Sequence, residues 1–340
     1  MTETQGPPAW RAVAEWYRHY FAALVLRTVA QRGARDAAEL VFRTFRRQHH
    51  ARFLPGLRKL GLDGLPHAVA AASYHYLSNR IGGVSVEFMP ESDRKAWVRF
   101  PPPRWVWPTV TIAAIPTEVS AAMLRGWQAH NGVSLGNPRL GFVCTGMTPD
   151  GQPGLEGYFL EHDRDLAPEE RLRFARHEQA PEFDPERAPR LDPADWPADR
   201  LAKAHRAYAM EYVRSALPEL LQAFGPEAAQ FLGGGAARLV GMQMYPEIAA
   251  GLGGGFEPGP AGFARFMVAL AAAQGDRAMA EPDGATMVVR QESVRLMDGV
   301  PEAGPVLLAC WAALLEGAAA AHDRRVVLER TGLSWRVSRR

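Results

Sequence analysis

Cysteine is almost missing from this chain: Cys144 and Cys310 are the only two in 340 residues, and neither lies in a CxxC. A disulfide framework and a cysteine-based zinc site are thereby excluded, and a reducing compartment is expected. HExxH, HxH and the EF-hand loop are absent as well, and the adjacent His49 and His50 would point to different sides of a helix, so no metal spacing is present and no cofactor is named. Charge of one sign is lacking. The formal net charge is +2, and the basic cluster Arg43, Arg46, Arg47 has acidic neighbours and no interleaved aromatics, which argues against nucleic acid as partner. The longest early apolar run, 20–26, follows no basic segment and is too short for a signal peptide or a span. The expected location is the cytoplasm, without membrane contact, and the expected partner is a small molecule.

What the chain does have is a mixed pattern of helical and extended periodicity. Apolar residues at i, i+3, i+4 spacing predict helices over 8–31, 36–53 (stopped by Pro55) and 66–80, the last ended by Gly82-Gly83. Alternation predicts a hairpin of 84–88 with 96–100. After the Pro-rich 101–108, with Trp105 and Trp107, Thr117 caps a helix to His130. A polar turn over 131–137 then leads to a second hairpin, 140–147 with 155–162. The segment 163–200, dense in Pro, Asp, Glu and Arg, reads as a linker draped on the surface. Helices resume at 201–224, 226–248 and 260–274, followed by short strands near 278 and 285–291, a helix over 305–321, and a hairpin of 325–329 with 333–337.

That order repeats the first half at an offset of about 191 residues. Pro246 falls on Pro55, Ile248 on Leu57, Ala228-Ala229 on Ala37-Ala38, and after a two-residue slip Gly275 meets Gly82. The expected fold is therefore α+β: a tandem duplication of a module of three helices, β-hairpin, helix and β-hairpin, packed as a pseudo-dimer. The modules are placed at 1–165 and 201–340 with the linker at 166–200, and a homo-oligomer is allowed. Seven of the ten histidines lie in the first copy, six of them, His49, His50, His67, His75, His130 and His162, between its helices and its last hairpin, which is where titratable chemistry is expected.

Reactive side chains crowd 117–162. Cys144 shares a strand face with Leu140 and Phe142, and Glu156, Tyr158 and His162 share a face of the return strand. A register that brings these faces together would give Cys144 a base (His130 or His75) and an orienting carboxylate (Glu156). Arg80 and Arg139, at element boundaries, suit a substrate carboxylate, with Asn131, Asn137, Tyr158, Trp105 and His162 lining the pocket. The bland readings are an inert buried thiol for Cys144, a helix cap for His130-Asn131-Gly132, and surface positions for the arginines. Gly132-Val133-Ser134-Leu135-Gly136 matches GxSxG, but a helix precedes it and a strand follows, the reverse of a nucleophile elbow, so its glycines read as turn residues. Gly233-Gly235 and Gly253-Gly255 lack the phosphate-loop context, and the first run reads as a helix contact between the copies.

On Gly82-Gly83, the Pro116-Thr117 helix start and the hairpin 140–162, each half resembles the vinyl-4-reductase-like ligand-binding modules and the related L-2-amino-thiazoline-4-carboxylate hydrolase-like proteins. The resemblance implies a small organic ligand held between helices and sheet, and hydrolytic ring opening in the related enzymes. No catalytic residue is carried over from it. The functional expectation is a hydrolase of a C–N or C–S bond in a carboxylate-bearing substrate. The alternative is a non-catalytic module that binds a small ligand or a partner through Trp97, Trp105, Trp107 and Trp127.

Overall fold

A computed structural model describes residues 6–340, and the chain divides into two compact units. The central unit is Thr28–Pro197; the terminal unit combines the residues through Arg27 with Ala198–Arg340. Both mix helices with a small sheet, so the fold class is α+β. The division differs from the expected borders at 165 and 200. Helix α1 (Pro7–Arg32) sends its apolar face to the terminal unit, where Trp16 meets Phe266 and Phe21 stacks on Tyr212, and the segment 166–197 belongs to the central unit.

In the central unit α2 (Ala34–Lys59) starts after Gly33, whose φ of 88° no other residue adopts comfortably. It runs on through Pro55 instead of stopping there. Its buried stripe, Leu40, Val41, Thr44, Phe45, Gln48, His49, Phe53 and Leu57, has helical spacing and carries three polar residues inward. Then come α3 (His67–Ile81), β1 (Glu87–Ser92), β2 (Lys95–Phe100), α4 (Thr117–Gly126), α5 (Asn131–Ser134), β3 (Leu140–Gly146), β4 (Leu155–Glu161) and β5 (Leu172–Phe174). The first hairpin turns at 93–94, so β1 begins later than alternation suggested, and the expected polar turn at 131–137 opens with the short α5. A side chain on Gly126 would press on the Phe42 carbonyl at 2.7 Å, so α4 and α2 meet backbone to backbone.

The central sheet has the order β1-β2-β4-β3-β5, antiparallel except for β3 with β5. Directly paired residues share a face. Phe142 pairs with Phe159, and Phe159 with Ala96, and this face meets the helices, because His75 of α3 stacks on Phe159 at 5.3 Å. The other face carries Met89, Trp97, Val143 and Tyr158, covered by Ala175, Ala180 and Phe183. The Pro- and acid-rich segment is thus a third layer rather than a linker alone: a few apolar residues, placed where the sheet needs cover, suffice.

The terminal unit continues with α6 (Ala198–Ala229), bent at Gly225 (φ 82°), a π-helical turn at Gln230–Gly234, and α7 (Gly235–Gly251). It ends with α8 (Pro260–Gln274), β6 (Ala278–Asp283), β7 (Thr286–Gln291), α9 (Pro305–His322), β8 (Val326–Thr331) and β9 (Ser334–Arg339), in the sheet order β6-β7-β9-β8. The glycines serve helix contacts. A side chain on Gly233 would meet Cys310 Sγ at 3.1 Å and one on Gly235 the Arg27 guanidinium at 2.6 Å, while Gly241 lies against the Leu314 carbonyl of α9. Among the described residues α9 alone is long and apolar enough to cross a membrane, and 56% of it is buried within the protein.

Candidate functional site

The helix side of the central sheet holds a cluster of histidines that no single stretch of sequence contains. His49 and His50 come from α2, His75 from α3, and His130 from the 3₁₀ turn after α4. The rings meet edge to face: His49 is 5.1 Å and His50 5.0 Å from His130, and Trp127 stands 5.5 Å from His49 and 6.2 Å from His75. Phe53 stacks on His49 at 4.8 Å. Helical periodicity puts His49 one turn before Phe53 on the buried stripe, so the same packing that buries the phenyl ring buries the imidazole.

Two hydrogen bonds organise the cluster. Asn131 Nδ2 donates to His75 Nε2 at 3.1 Å, and His49 Nε2 lies 2.8 Å from Ser134 Oγ. The opposite poles of these pairs, His49 Nδ1 and Asn131 Oδ1, are buried and have no partner among the described residues, as is the Trp127 indole N–H. Burial costs a charged ring its hydration. It pulls His75 down to about 3, and His49 down to about 2 with help from the neighbouring charges of His130, His75, His50 and Arg46. His130, half-buried at the edge, falls to about 4 through burial and then through Arg46, His50 and Arg171. All three imidazoles are therefore neutral near pH 7.

Arg46 donates from Nε to the Gly126 carbonyl and from Nη2 to the Arg125 carbonyl, both at 2.9 Å, which caps the end of α4 and holds a positive charge beside His130. Arg171 comes from the segment expected to be a linker, and its Nε has no partner among the described residues. Of the residues singled out in the sequence, the fold brings His75, His130 and Asn131 together. His49, Ser134, Arg46 and Arg171 join them. The double histidine and the GxSxG string were visible signals, but neither indicated the other.

The remaining expected residues stand elsewhere. Cys144 pairs with Gly157, so it shares the face of Leu155 and Phe159, whereas Glu156 and Tyr158 face the outer layer. One residue of register separates the two faces, and the expected Cys144–Glu156 alignment is not formed. Cys144 is fully buried, its thiol pushed up to about 11 by desolvation, with Arg176 Nη1 3.8 Å from the sulfur. Glu156 Oε1 accepts from Thr145 Oγ at 2.9 Å and from the Ala180 N–H at 3.2 Å, pinning the outer segment. Tyr158 is raised by burial and then by Glu178, and packs 4.5 Å from Trp97. Asn137 Nδ2 donates to Glu161 Oε2 at 2.9 Å, and lies 3.0 Å from His67 Nδ1; Arg139 pairs with Glu161 at 2.5 Å, and the His162 N–H reaches the Arg139 carbonyl at 2.9 Å. This is a separate polar knot that ties α3 to the hairpin. Arg80 donates to Tyr76 Oη at 2.8 Å, and Trp105 is half-buried in the segment after β2.

The glycines of GxSxG are set by packing. A side chain on Gly132 would meet the Asn137 carbonyl at 2.8 Å, and Gly136 has a φ of 66°. Ser134 itself closes α5 with helical backbone, so there is no strained elbow. Among the described residues no group of three or more His, Cys, Asp or Glu is placed to hold a metal ion. No family model, curated protein or solved structure matches this chain.

Proposed function

We propose that the chain is a small-molecule hydrolase acting on a C–N or C–S bond in a carboxylate-bearing substrate, with its site at the histidine cluster of the central unit. One observation carries the reading: Arg46 and Arg171 both lower the basicity of His130, and among the described residues no carboxylate forms an ion pair with either guanidinium. Cationic groups facing neutral imidazoles, without an internal counter-ion, leave the site electrostatically incomplete, and an anion completes it. Arg171, with its Nε unengaged, is the carboxylate ligand in this reading, in place of Arg80 and Arg139. His130, at the edge, meets the reacting group.

The resemblance to vinyl-4-reductase-like and thiazoline-carboxylate hydrolase-like modules points the same way, since it implies a small organic ligand between helices and sheet. We propose further that the two units descend from a tandem duplication. In support, β6-β7-β9-β8 repeats the order β1-β2-β4-β3, both units carry a proline inside the corresponding helix (Pro55, Pro246), and Gly33 and Gly225 share a φ of 88° and 82°.

The test is calorimetric titration of the full chain with small carboxylates that carry an amide or a thiazoline ring, beside their methyl esters. The expected result is binding of the acids only, weakened at least tenfold in R171Q. Equal binding of acid and ester, or of parent and variant, would refute the reading. Binding without turnover is the second reading, and it is favoured by the separation of Cys144 from Glu156.

A further inference from the structure

We propose that Ser134 is the nucleophile of this site and His49 its base. The proposal rests on the hydrolytic reading above and adds to it the group that attacks.

The geometry supplies the reach. His49 Nε2 and Ser134 Oγ are 2.8 Å apart, the separation at which an imidazole takes a hydroxyl proton. The ring is also held: Phe53 lies along one side of it, and Trp127 and His130 meet it edge-on, so the bond is preorganised rather than one of many rotamers. Ser134 is half-exposed while His49 is 1% exposed, which places the hydroxyl toward the substrate and the base behind it. Gly132, pressed onto the 137–140 turn, and Gly136, in the left-handed region, fix the short helix that presents the serine.

A purely structural role explains less. A histidine–serine hydrogen bond supports the fold only modestly, whereas His49 Nδ1, buried with no partner among the described residues, costs more than that bond returns. An apolar residue on the same helical stripe would pack against Phe53 and Trp127 without that cost. A polar ring kept at a net loss in a core is a mark of a working site. The Trp127 N–H, on the indole that meets the same ring, is likewise buried with no partner among the described residues.

The chemistry balances without a redox partner. Ser134 Oγ forms a bond to the acyl carbon of the C–N or C–S group, and its proton passes to His49 Nε2. That proton moves to the leaving nitrogen or sulfur as the old bond breaks. Water then attacks the acyl-serine, giving one proton to His49, which returns it to Ser134 Oγ as the acid departs. His49 is neutral near pH 7, so its Nε2 is free to take the proton.

The experiment treats the full chain with an alkyl fluorophosphonate, which phosphonylates activated serines, and maps the adduct by peptide mass spectrometry. One adduct at Ser134 is expected, absent in S134A and formed at least tenfold more slowly in H49Q with unchanged circular dichroism. No adduct at Ser134 in the native protein overturns the proposal without recourse to any variant, and so does an undiminished rate in folded H49Q. The probe carries no carboxylate, so labelling is expected to survive in R171Q. In the native protein, labelling of Ser134 without carboxylate binding sinks the substrate reading alone, and carboxylate binding without labelling sinks the nucleophile alone.

Discussion

Acid should unfold the central unit well above the pH at which carboxylates protonate, because His49 and His75 are folded in as neutral rings. In the unfolded chain each takes up a proton near an ordinary pKa of about 6.5. In the folded protein His75 does so only near 3 and His49 only near 2. Below about pH 6.5 the unfolded state therefore binds more protons, and stability falls with pH until the folded values are passed. Each ring costs about 1.4 kcal/mol per pH unit, so at pH 5 each has removed about 2 kcal/mol and the pair about 4 kcal/mol. That is a large share of the usual net stability of about 5–15 kcal/mol. His130 acts in the same direction with less weight, because it is half-exposed and solvent screens it. Asp276 of the terminal unit, raised by burial, opposes the trend weakly at this pH. Urea unfolding followed by tryptophan fluorescence at pH 7, 6 and 5 measures the loss, and H75Q should flatten the slope between pH 6 and 5 by about 1.4 kcal/mol per unit. An H75Q slope equal to the parent's, or a parent equally stable at pH 7 and 5, would refute the reasoning.

Gly157→Ala would drive a methyl into the Val143 carbonyl and within 2.6 Å of Phe142 Cζ, in the layer that supports His75 through Phe159. A loss of about 1–3 kcal/mol and a lowered melting temperature are expected by scanning calorimetry, and an unchanged melt would show that the strand can shift. Cys144, raised to about 11, should react with a disulfide reagent at pH 7 about a hundredfold more slowly than a free thiol, and C144A should bind carboxylates as the parent does. Rapid labelling of the folded protein, or lost binding in C144A, would restore that thiol to the site.

Much of the architecture was legible in the chain. The spacing of Leu40, Phe45 and Phe53, the pair Gly82-Gly83, and the alternation at 140–146 and 155–161 are local properties, fixed by how often a side chain returns to one face. Boundaries were less so. Pro55 sits inside α2, and residues 131–134 coil into a short helix, because neighbouring packing outweighs the local signals of proline and of Asn-Gly. The segment 166–197 reads as linker by composition, yet Ala175, Ala180 and Phe183 are enough to make it the third layer of the central sheet.

By itself the sequence determined the element types, their order in each half, and the concentration of histidines before residue 163. The tertiary structure alone decided which of those groups meet. A single step of strand register sent Cys144 to the helix side and Glu156 to the outer layer, and alternation alone does not set that step. The approach of α2 to α4 across Gly126 brought the 49–50 pair to 130, and the turn held by Gly132 brought Ser134 to His49. Those contacts join residues about 80–85 positions apart, where chain spacing carries no information and only the packing of one helix on another does.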